Sequence, residues 1–366
     1  MVNKVHFLGN EQSDWLNISA SNPVDELSLS LKDSPDLLVE FVKNNAGKFI
    51  AGFMTYEFGV AQLNVPVHEL KGIPAAHFCA FDSYESLNQQ TKYSESSWKK
   101  FDPVISKNEY ESTFKKIKGH IQAGDFYQIN YTHPLKSKTD SNPEHLFSSL
   151  SQKNNVGYRA YFESNEWAIH SLSPEQFIKI ENGIISTKPI KGTIQRGNNS
   201  IDDEQFLNTL LNSAKEQAEL YMIIDLLRND LGKVCETGTV NVLESKSVQQ
   251  LEKVYHTYGF IQGTIKQNLH PIEALISMSP GGSISGCPKK RACEIIHDIE
   301  PYPRGIYTGT IGYILPDDTL NFNIAIRTIL QQHEHLTLGV GGGITIDSNL
   351  DEEYQETLAK AAALQP

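Results

Sequence analysis

Apolar residues recur at intervals of three and four in several stretches of the chain, and this is the pattern of amphipathic helices. The first such stretch predicts a helix over residues 106–123, whose apolar face holds Tyr110, Phe114, Ile117 and Ile121. The longest predicts a helix over residues 202–231, with a candidate break before Arg228. Further helices are predicted over residues 271–278, 288–299 and 350–363.

Shorter apolar segments between turn residues predict strands. Several fall within residues 156–195, where Glu181-Asn182-Gly183 is a hairpin cue. The others lie at residues 48–56, 77–82, 126–131, 238–242, 254–262, 307–315 and 320–331. Clusters of strands with helices between them indicate an α+β fold and not a regular βαβ alternation.

A polar stretch marks the predicted division of the chain. Residues 83–100 contain few aliphatic side chains, so we expect a loop that joins two subdomains. We therefore predict an N-terminal β-rich subdomain over residues 1–95 and a larger domain over residues 100–366, intertwined in one globular unit.

The composition is that of a soluble globular protein, with 39% hydrophobic and 21% charged residues in 366. A net charge of -12 argues against nucleic acid as the main partner. No apolar segment approaches the length of a membrane span and no leader pattern opens the chain, so we expect a cytoplasmic location. The four cysteines show neither a CxxC pair nor a zinc spacing, and we expect reduced thiols without a chemical role.

Two pairs of glutamates on separate predicted helices are candidate metal ligands. Glu216 with Glu219, and Glu353 with Glu356, are three residues apart, which places each pair on one helix face. If the two faces oppose each other, four carboxylates converge, and Mg²⁺ would relieve their repulsion because it prefers oxygen ligands. The alternative is that both pairs are solvated surface charges.

Two glycine-rich segments are candidate ligand-binding backbone. GVGGG at 339–343 follows a predicted strand, and PGGSISG at 280–286 precedes a predicted helix. Glycine lets the backbone approach a ligand closely, and a helix N-terminus offers N–H donors to an anion. Neither segment is a P-loop or a dinucleotide fingerprint, so a nucleotide is not indicated. Tight turns alone are the alternative.

Single residues add further candidates. Lys191, in KPIKGT at 188–193, is a lysine before a Gly-Thr turn and could act as a nucleophile, or it is an ordinary loop lysine. Arg327 in an apolar predicted strand must find a partner or a ligand. By itself His256 is more often a hydrogen-bonded core histidine than a catalyst, and the alternative for Lys360 is an intrahelical pair with Glu356. The remaining candidates are Glu175, Lys289 and Tyr307.

Four motifs in a fixed order connect these candidates to a known family. They are DLLRNDLG at 225–232, SPGGSISGCPK at 279–289, RGIYTG at 304–309 and GGGITIDS at 341–348. Over residues 106–366 the chain resembles the chorismate-utilising enzymes, which include anthranilate synthase component I, aminodeoxychorismate synthase component I, isochorismate synthase and salicylate synthase. The resemblance implies the anthranilate synthase component I-like fold, with large β-sheets forming a sandwich-like core and helices packed outside. Residues 100–366 would be the chorismate-binding catalytic domain.

The resemblance also implies roles for individual residues. Glu219 and Glu356 would bind Mg²⁺ directly, with Glu216 and Glu353 acting through water, and the metal would hold the ring carboxylate of chorismate. The residues implied to line the ring are Gly192, Thr193, His256, Ser283 and Lys360. Those implied to bind the pyruvyl carboxylate are Tyr307, Arg327 and the backbone N–H groups around Gly341 and Gly343.

Three positions indicate the subtype. Lys191 lies in a Pro-Ile-Lys-Gly-Thr signature resembling that of aminodeoxychorismate synthase component I, where anthranilate synthases carry alanine. Gln128 stands where water-adding members carry a lysine base, and an amide cannot deprotonate water. Glu175 matches the general acid of the family, and burial should raise its pKa. As a nucleophile Lys191 must be uncharged, so we expect its surroundings to lower its pKa.

The implied function is Mg²⁺-dependent amination of chorismate with ammonia to 4-amino-4-deoxychorismate, for 4-aminobenzoate and folate biosynthesis. The chain shows no glutamine amidotransferase pattern, so a separate glutaminase subunit is expected to supply the ammonia. It also shows no Leu-Leu-Glu-Ser sequence of the kind with which anthranilate synthases bind tryptophan, and we expect no inhibition by tryptophan. The alternatives are anthranilate synthase component I activity and a catalytically silent subunit that binds its glutaminase or a metabolite.

Overall fold

The computed structural model describes residues 2–11, 13–87, 96–197, 199–250 and 254–366. The strands of these residues are β1 Val2–Leu8, β2 Ile18–Ser21, β3 Asp25–Leu29, β4 Phe49–Met54, β5 Ala76–Phe81, β6 Glu85–Ser86, β7 Asp102–Pro103, β8 Gln128–Lys138, β9 Tyr158–Ser164, β10 Ala168–Ser173, β11 Gln176–Glu181, β12 Ile184–Lys188, β13 Ile190–Gln195, β14 Asn241–Gln250, β15 Val254–Thr264, β16 Gly286–Cys287, β17 Thr310–Ile314, β18 Leu320–Ile324, β19 Thr328–Gln332 and β20 His335–Ile344. The helices are α1 Asp36–Asn44, α2 Tyr56–Ala61, α3 Lys107–Gln122, α4 Pro143–Lys153, α5 Ser200–Asn212, α6 Ala214–Val234, α7 Pro271–Met278, α8 Lys289–Ile299 and α9 Leu350–Ala362. Within the described residues, no helix is both long enough and apolar enough to span a membrane.

Antiparallel pairing joins the strands into two large sheets. The first sheet has the order β16-β8-β20-β19-β10-β9-β1-β2-β6, with β7 beside β8. The second has the order β13-β15-β12-β11-β18-β17-β4-β5-β3, with β14 beside β15. Strands from the first 95 residues belong to both sheets. The division into two subdomains stays a prediction.

A buried aromatic cluster holds the two sheets face to face. Phe7 of β1, in the first sheet, makes edge-to-face contacts with Tyr313 and Phe49 of the second sheet, at ring-centroid distances of 5.0 and 6.3 Å. Trp15 packs against the same phenylalanine at 5.3 Å. Such rings bury large apolar areas, and edge-to-face pairs add about 0.5–1.5 kcal/mol each. This core confirms the predicted sandwich.

Helices cover the outer faces of the sandwich. The buried side of α6 carries Leu220, Ile223, Leu227 and Leu231 against the second sheet, and α9 lies against β20 of the first. An apolar stripe at this spacing stabilises a helix mainly by packing. The arrangement confirms the predicted α+β class with helices outside the sheets.

Four predicted helices agree with the structure to within one residue at either end, namely α3, α7, α8 and α9. In α3 the Ser106 hydroxyl accepts the backbone N–H of Glu109, whose carboxylate accepts the Ser106 N–H at 2.7 Å. This capping box fixes the start of the helix.

The predicted single helix over residues 202–231 is wrong, because the structure has two helices there. Ser213, with ψ of 108°, leaves the helical conformation, and its hydroxyl accepts the Glu216 N–H at 3.3 Å to begin α6. The break expected before Arg228 is also wrong, since α6 continues to Val234. Buried Leu227, Asp230 and Leu231 hold that part of the helix in place.

The predicted strand over residues 320–331 is also wrong. The chain leaves β18 in the second sheet and enters β19 in the first, and the crossing includes Arg327 with a φ of +49°. The Leu172 N–H donates to the Arg327 carbonyl at 3.1 Å and fixes the crossing. Arg327 is therefore not a strand residue, and Tyr307 likewise precedes β17.

Three helices were absent from the sequence prediction: α1, α2 and α4. In α4 the Asn142 side chain accepts the Glu144 N–H at 2.9 Å and Pro143 occupies the first turn. Both are recognised start signals, so this helix could have been predicted. The predicted loop at 83–100 includes residues 88–95, which lie outside the described residues.

A buried ion pair ties several of these elements together. Arg304 contacts Glu300 through two hydrogen bonds of 2.8 Å and donates to the carbonyls of Ile284 and Asn130 at 2.8 and 2.6 Å. The Glu300 carboxylate also accepts the Thr132 N–H at 2.8 Å. Side-chain exposure is 2% for the arginine and 3% for the glutamate. The pair fixes β8 and the 282–286 segment relative to α8.

We expect Glu300→Ala to destabilise the protein by about 3–5 kcal/mol, because it leaves the Arg304 charge buried without its partner. The matched control is Asp225→Ala, which removes the exposed 2.6 Å pair with Arg228 and should change stability by less than about 1 kcal/mol. Urea unfolding of both variants measures the difference. Equal losses in the two variants would contradict a special role for the buried pair.

Candidate active site

Lys191 lies on β13 at a break in strand register. The pairing with β15 shifts between Lys191 and Thr193, and the intervening Gly192 has a φ of +83°. A Cβ atom on Gly192 would come within 2.9 Å of the Thr257 hydroxyl and 3.1 Å of a Glu216 carboxylate oxygen. Only glycine suits both the backbone angle and the space. The bulge brings the backbone beside Lys191 close to α6.

The four predicted metal-binding glutamates come from α6 and α9, and three of them contact a lysine. Lys191 Nζ lies 2.7 Å from Glu219 Oε2. The other contacts are Lys215 Nζ to Glu353 Oε1 at 3.3 Å and Lys360 Nζ to Glu356 Oε1 at 2.7 Å. The charges of Glu219 and Glu356 both act on Glu216, which completes the cluster. We call these four glutamates and three lysines the charge cluster.

The donor set of the charge cluster fits Mg²⁺ in its chemistry, because carboxylate oxygens are the protein ligands that Mg²⁺ prefers. Burial and the nearby carboxylates raise the pKa of Glu216 despite the opposing charge of Lys191, so the site would gain from an added cation. A three-residue metal site needs one ligand atom from each residue, with all three atoms within 4.8 Å of one another. Among the described residues, the four glutamates contain no such group of three. Lys191 and Lys360 each hold one oxygen of the two carboxylates that are expected to bind the metal directly.

The expectation of a lowered Lys191 pKa is wrong for this arrangement. Burial lowers the pKa of Lys191, but the carboxylates of Glu219, Glu216 and Glu356 outweigh burial and raise the pKa above its ordinary value. The amine is therefore protonated while it contacts Glu219. The distances between these charges depend on packing between distant segments, which a single sequence does not reveal.

Glu175 is a buried carboxyl group, with 5% of its surface exposed. Burial raises the pKa of Glu175 to about 7, against the opposing effects of the Ser283 hydrogen bond and the Lys191 charge. The Ser283 hydroxyl donates to the carboxylate at 2.8 Å. The predicted direction of this pKa is therefore confirmed, and the side chain can carry a proton near neutral pH.

Glycines of β20 bring its backbone against the candidate residues. A Cβ atom on Gly343 would lie 2.2 Å from Gln128 Nε2 and 3.1 Å from Lys191 Nζ. The carbonyl of Gly341 accepts a hydrogen bond from Lys360 at 2.9 Å. The glycines are thus part of a strand and not of a turn, and they leave space where Gln128 and Lys191 meet.

His256 is buried and lacks one hydrogen bond. Its Nδ1 contacts the Thr193 hydroxyl at 2.6 Å, whereas Nε2 has no partner. Burial, together with the Arg327 charge, lowers the pKa of His256 to about 4, so the imidazole is neutral. An unpartnered buried nitrogen is costly unless a ligand satisfies it.

Arg327 makes no ion pair and no side-chain hydrogen bond within the described residues. Burial lowers the pKa of its guanidinium. The Thr308 N–H donates to Ala325 O at 2.9 Å, which joins the segment carrying Tyr307 to the crossing that carries Arg327. The Tyr307 ring packs directly on Gly339, where a Cβ atom would come within 2.1 Å. A half-buried cation without a counterion is suited to an anionic ligand.

Sequence reasoning missed Lys215 and misjudged Lys289. Lys215 precedes Glu216, and nothing in its sequence context distinguishes it from a surface lysine. Lys289 lies outside the charge cluster, where it pairs with buried Asp230 at 2.6 Å and donates to the Met278 carbonyl at 3.0 Å. Its function is to satisfy a buried charge at the start of α8.

Residues 75–366 match the family described as chorismate binding enzyme. The chain belongs to this family. The match begins before the predicted domain start at residue 100 and includes every member of the charge cluster. It confirms the resemblance drawn from the four motifs.

Curated members of the family differ in their names. The chain is 39% identical over 256 residues to aminodeoxychorismate synthase component 1 of Salmonella typhimurium. The aligned region covers 70% of this chain and 56% of that protein. It is 38% identical over 260 residues to anthranilate synthase component 1 of Acetivibrio thermocellus. This alignment covers 71% of this chain and 53% of that protein. The chain thus spans little more than half the length of these relatives.

Solved structures confirm the fold. Anthranilate synthase component I from Streptococcus pneumoniae TIGR4 superposes with a TM-score of 0.81 at 24% identity, covering 98% of this chain and 92% of that one. The menaquinone-specific isochorismate synthase of Escherichia coli gives 0.76 at 17% identity, covering 99% and 87%. The N-terminal strands are therefore part of the shared fold.

We expect Glu175→Gln to reduce the loss of stability that the protein suffers between pH 4.5 and about 7. The folded pKa of Glu175 is about 7 against an ordinary 4.5, so protonation favours the native state. The contribution of Glu175 to the free energy of unfolding is complete below the unfolded pKa. This contribution, up to roughly 3 kcal/mol, is lost as the pH rises through the folded pKa. Unfolding free energies measured across this range test the shift.

The control is Glu166→Gln, which alters an exposed turn residue and should follow the parent protein at every pH. If the curves for Glu175→Gln and the parent were parallel across the range, the pKa of Glu175 would not be raised by folding.

Proposed function

We propose that the chain aminates chorismate with ammonia to give 4-amino-4-deoxychorismate, a precursor of 4-aminobenzoate and folate. The observation that carries the proposal is the position of Lys191, whose amine contacts Glu219 at 2.7 Å and packs beside the Gln128 amide over Gly343. A primary amine, a carboxylate cluster and a buried carboxyl group thereby face one site. The similarity to relatives named aminodeoxychorismate synthase component 1 supports the same function.

Charges at the site account for the binding of a dianion by a protein of net charge -12. Arg327, with Tyr307 and the N–H groups around Gly341 and Gly343, would bind the pyruvyl carboxylate, because the guanidinium has no protein counterion. The residues lining the ring would be Gly192, Thr193, His256, Ser283 and Lys360. The unpartnered Nε2 of His256 would then acquire a hydrogen-bond partner.

Glu219 and Glu356 would hold Mg²⁺ directly, and Glu216 and Glu353 would hold it through water. Bound there, the ion supplies positive charge for the ring carboxylate of chorismate. The raised pKa of Glu216, which burial and the carboxylates of Glu219 and Glu356 cause, supports a site that needs added positive charge.

Lys191 first gives a proton to solvent, and its neutral amine then attacks the ring carbon beside the carboxylate-bearing carbon. Glu175 protonates the departing hydroxyl, which leaves as water, and a raised pKa suits this task. Ammonia then attacks the carbon that carried the hydroxyl and expels the Lys191 amine. The two allylic displacements restore the original double bonds. Gln128 cannot deprotonate water, which disfavours hydration of the ring.

Ammonia would come from a separate glutamine amidotransferase subunit, an assignment supported by the name component 1 of the relatives. Anthranilate synthase component I activity is the second candidate, because a relative of that name is 38% identical. Lys191 distinguishes the two proposals, since anthranilate synthases are expected to carry alanine at this position.

The test is incubation of the protein with chorismate, Mg²⁺ and ammonium, followed by mass spectrometry of the products. We expect 4-amino-4-deoxychorismate, which retains the pyruvyl group. Glu175→Gln should slow its formation by about 10²–10⁴-fold, because proton transfer to the leaving hydroxyl is lost. Glu166→Gln is the matched surface control and should retain the parent rate.

Each alternative product has a different meaning. Anthranilate with released pyruvate would support the second candidate, and isochorismate would overturn the role of Gln128. Full activity in excess chelator would refute the Mg²⁺ assignment. A folded protein that yields no product would favour a catalytically silent subunit.

A further inference from the structure

The edge of the second sheet carries a cluster unrelated to the charge cluster. Strands β3 and β5 pair there so that Glu26 lies opposite Cys79 and Ser28 lies opposite His77. Side chains two residues apart on a strand point to the same face, so all four share one face. The cluster therefore follows from the register of two strands.

The three ligand-type atoms of this cluster are close together. Cys79 Sγ lies 3.2 Å from His77 Nε2 and 3.8 Å from Glu26 Oε1, and all three atoms fall within 4.8 Å of one another. Tetrahedral zinc with bonds of about 2.0–2.3 Å separates its ligand atoms by roughly 3.5 Å. The observed triangle has the size of one face of such a tetrahedron.

His77 is oriented for ligation. Its Nδ1 contacts the Ser28 hydroxyl at 2.7 Å, so Nε2 is directed to Cys79. Metal-binding histidines characteristically use the second ring nitrogen for such a hydrogen bond. The rings of Phe53 and Trp167, with centroids at 6.0 and 5.8 Å, fix the imidazole plane.

Burial of the cluster is graded toward the sheet edge. Cys79 has no exposed surface and His77 is 3% exposed, whereas Glu26 on the edge strand is half-buried. Glu26 therefore lies on the solvent side of the cluster. Glu26 Oε1 also accepts the Val2 N–H at 2.6 Å, which links the site to β1 of the first sheet.

We propose that Glu26, His77 and Cys79 bind a divalent zinc-type ion. Thiolate and imidazole ligands select such an ion over Mg²⁺. On binding, the Cys79 thiol proton passes to solvent as the metal–sulfur bond forms, and neutral His77 donates its Nε2 lone pair. The bound ion joins the edge strand to β5 and, through Glu26, to the first sheet. This role is independent of chorismate chemistry and would give Cys79 a function that the sequence did not indicate.

Cobalt(II) titration of the metal-free full chain tests the site, because a cobalt–thiolate bond gives a near-ultraviolet charge-transfer band that carboxylate sites cannot give. We expect a saturable band that Zn²⁺ removes and Mg²⁺ does not. Cys79→Ser should abolish it, and Ser28→Ala should weaken binding about 10–100-fold by freeing the imidazole. The matched control is Cys235→Ser, another buried thiol in a different core cluster, which should leave the band unchanged.

Absence of the band in the folded parent protein would overturn the proposal. A band that persists in both Cys79→Ser and Ser28→Ala, or that disappears only in Cys287→Ser, would do the same. If Cys79→Ser fails to fold, Glu26→Gln at the half-buried edge replaces it and should also weaken cobalt binding. Zn²⁺ should also raise the unfolding temperature of the parent protein, and Glu26→Gln should abolish this increase.

Discussion

The balance between four glutamates and three lysines is the constraint on which the candidate active site depends. Carboxylates from α6 and α9 would repel one another if the lysines did not neutralise them, and the contact between Lys191 and Glu219 is the shortest link between β13 and α6 in the cluster. The same contact keeps the amine protonated. Any ligand that engages Glu219 therefore changes the chemistry available to Lys191.

The two sheets determine which side chains lie at the candidate active site. The first sheet supplies Gln128 on β8 and the glycines of β20, and the second supplies Lys191 on β13 and His256 on β15. The buried pair of Arg304 and Glu300 holds β8 against the 282–286 segment, where Ser283 contacts Glu175. The site thus lies where both sheets and the outer helices meet.

Sequence patterns predicted the elements that local periodicity determines, such as α7 and α9, and the motifs identified the candidate residues. The crossing at Arg327 could not be predicted, because Asn323–Ile329 has the same apolar pattern whether the chain stays in one sheet or changes sheets. The break at Ser213 could have been predicted, because serine is a common residue at the start of a helix and caps α6 here. The raised pKa of Lys191 and the cluster of Glu26, His77 and Cys79 depend on contacts between distant residues, which a single sequence does not reveal.

The most direct measurement of the central claim is peptide mass spectrometry of a reaction with chorismate and Mg²⁺ that is quenched in the absence of ammonia. If Lys191 is the nucleophile, the peptide that contains it gains the mass of chorismate less water, and Lys191→Ala does not make aminodeoxychorismate at the parent rate. An unmodified peptide, together with an alanine variant that forms aminodeoxychorismate as fast as the parent, would contradict the account.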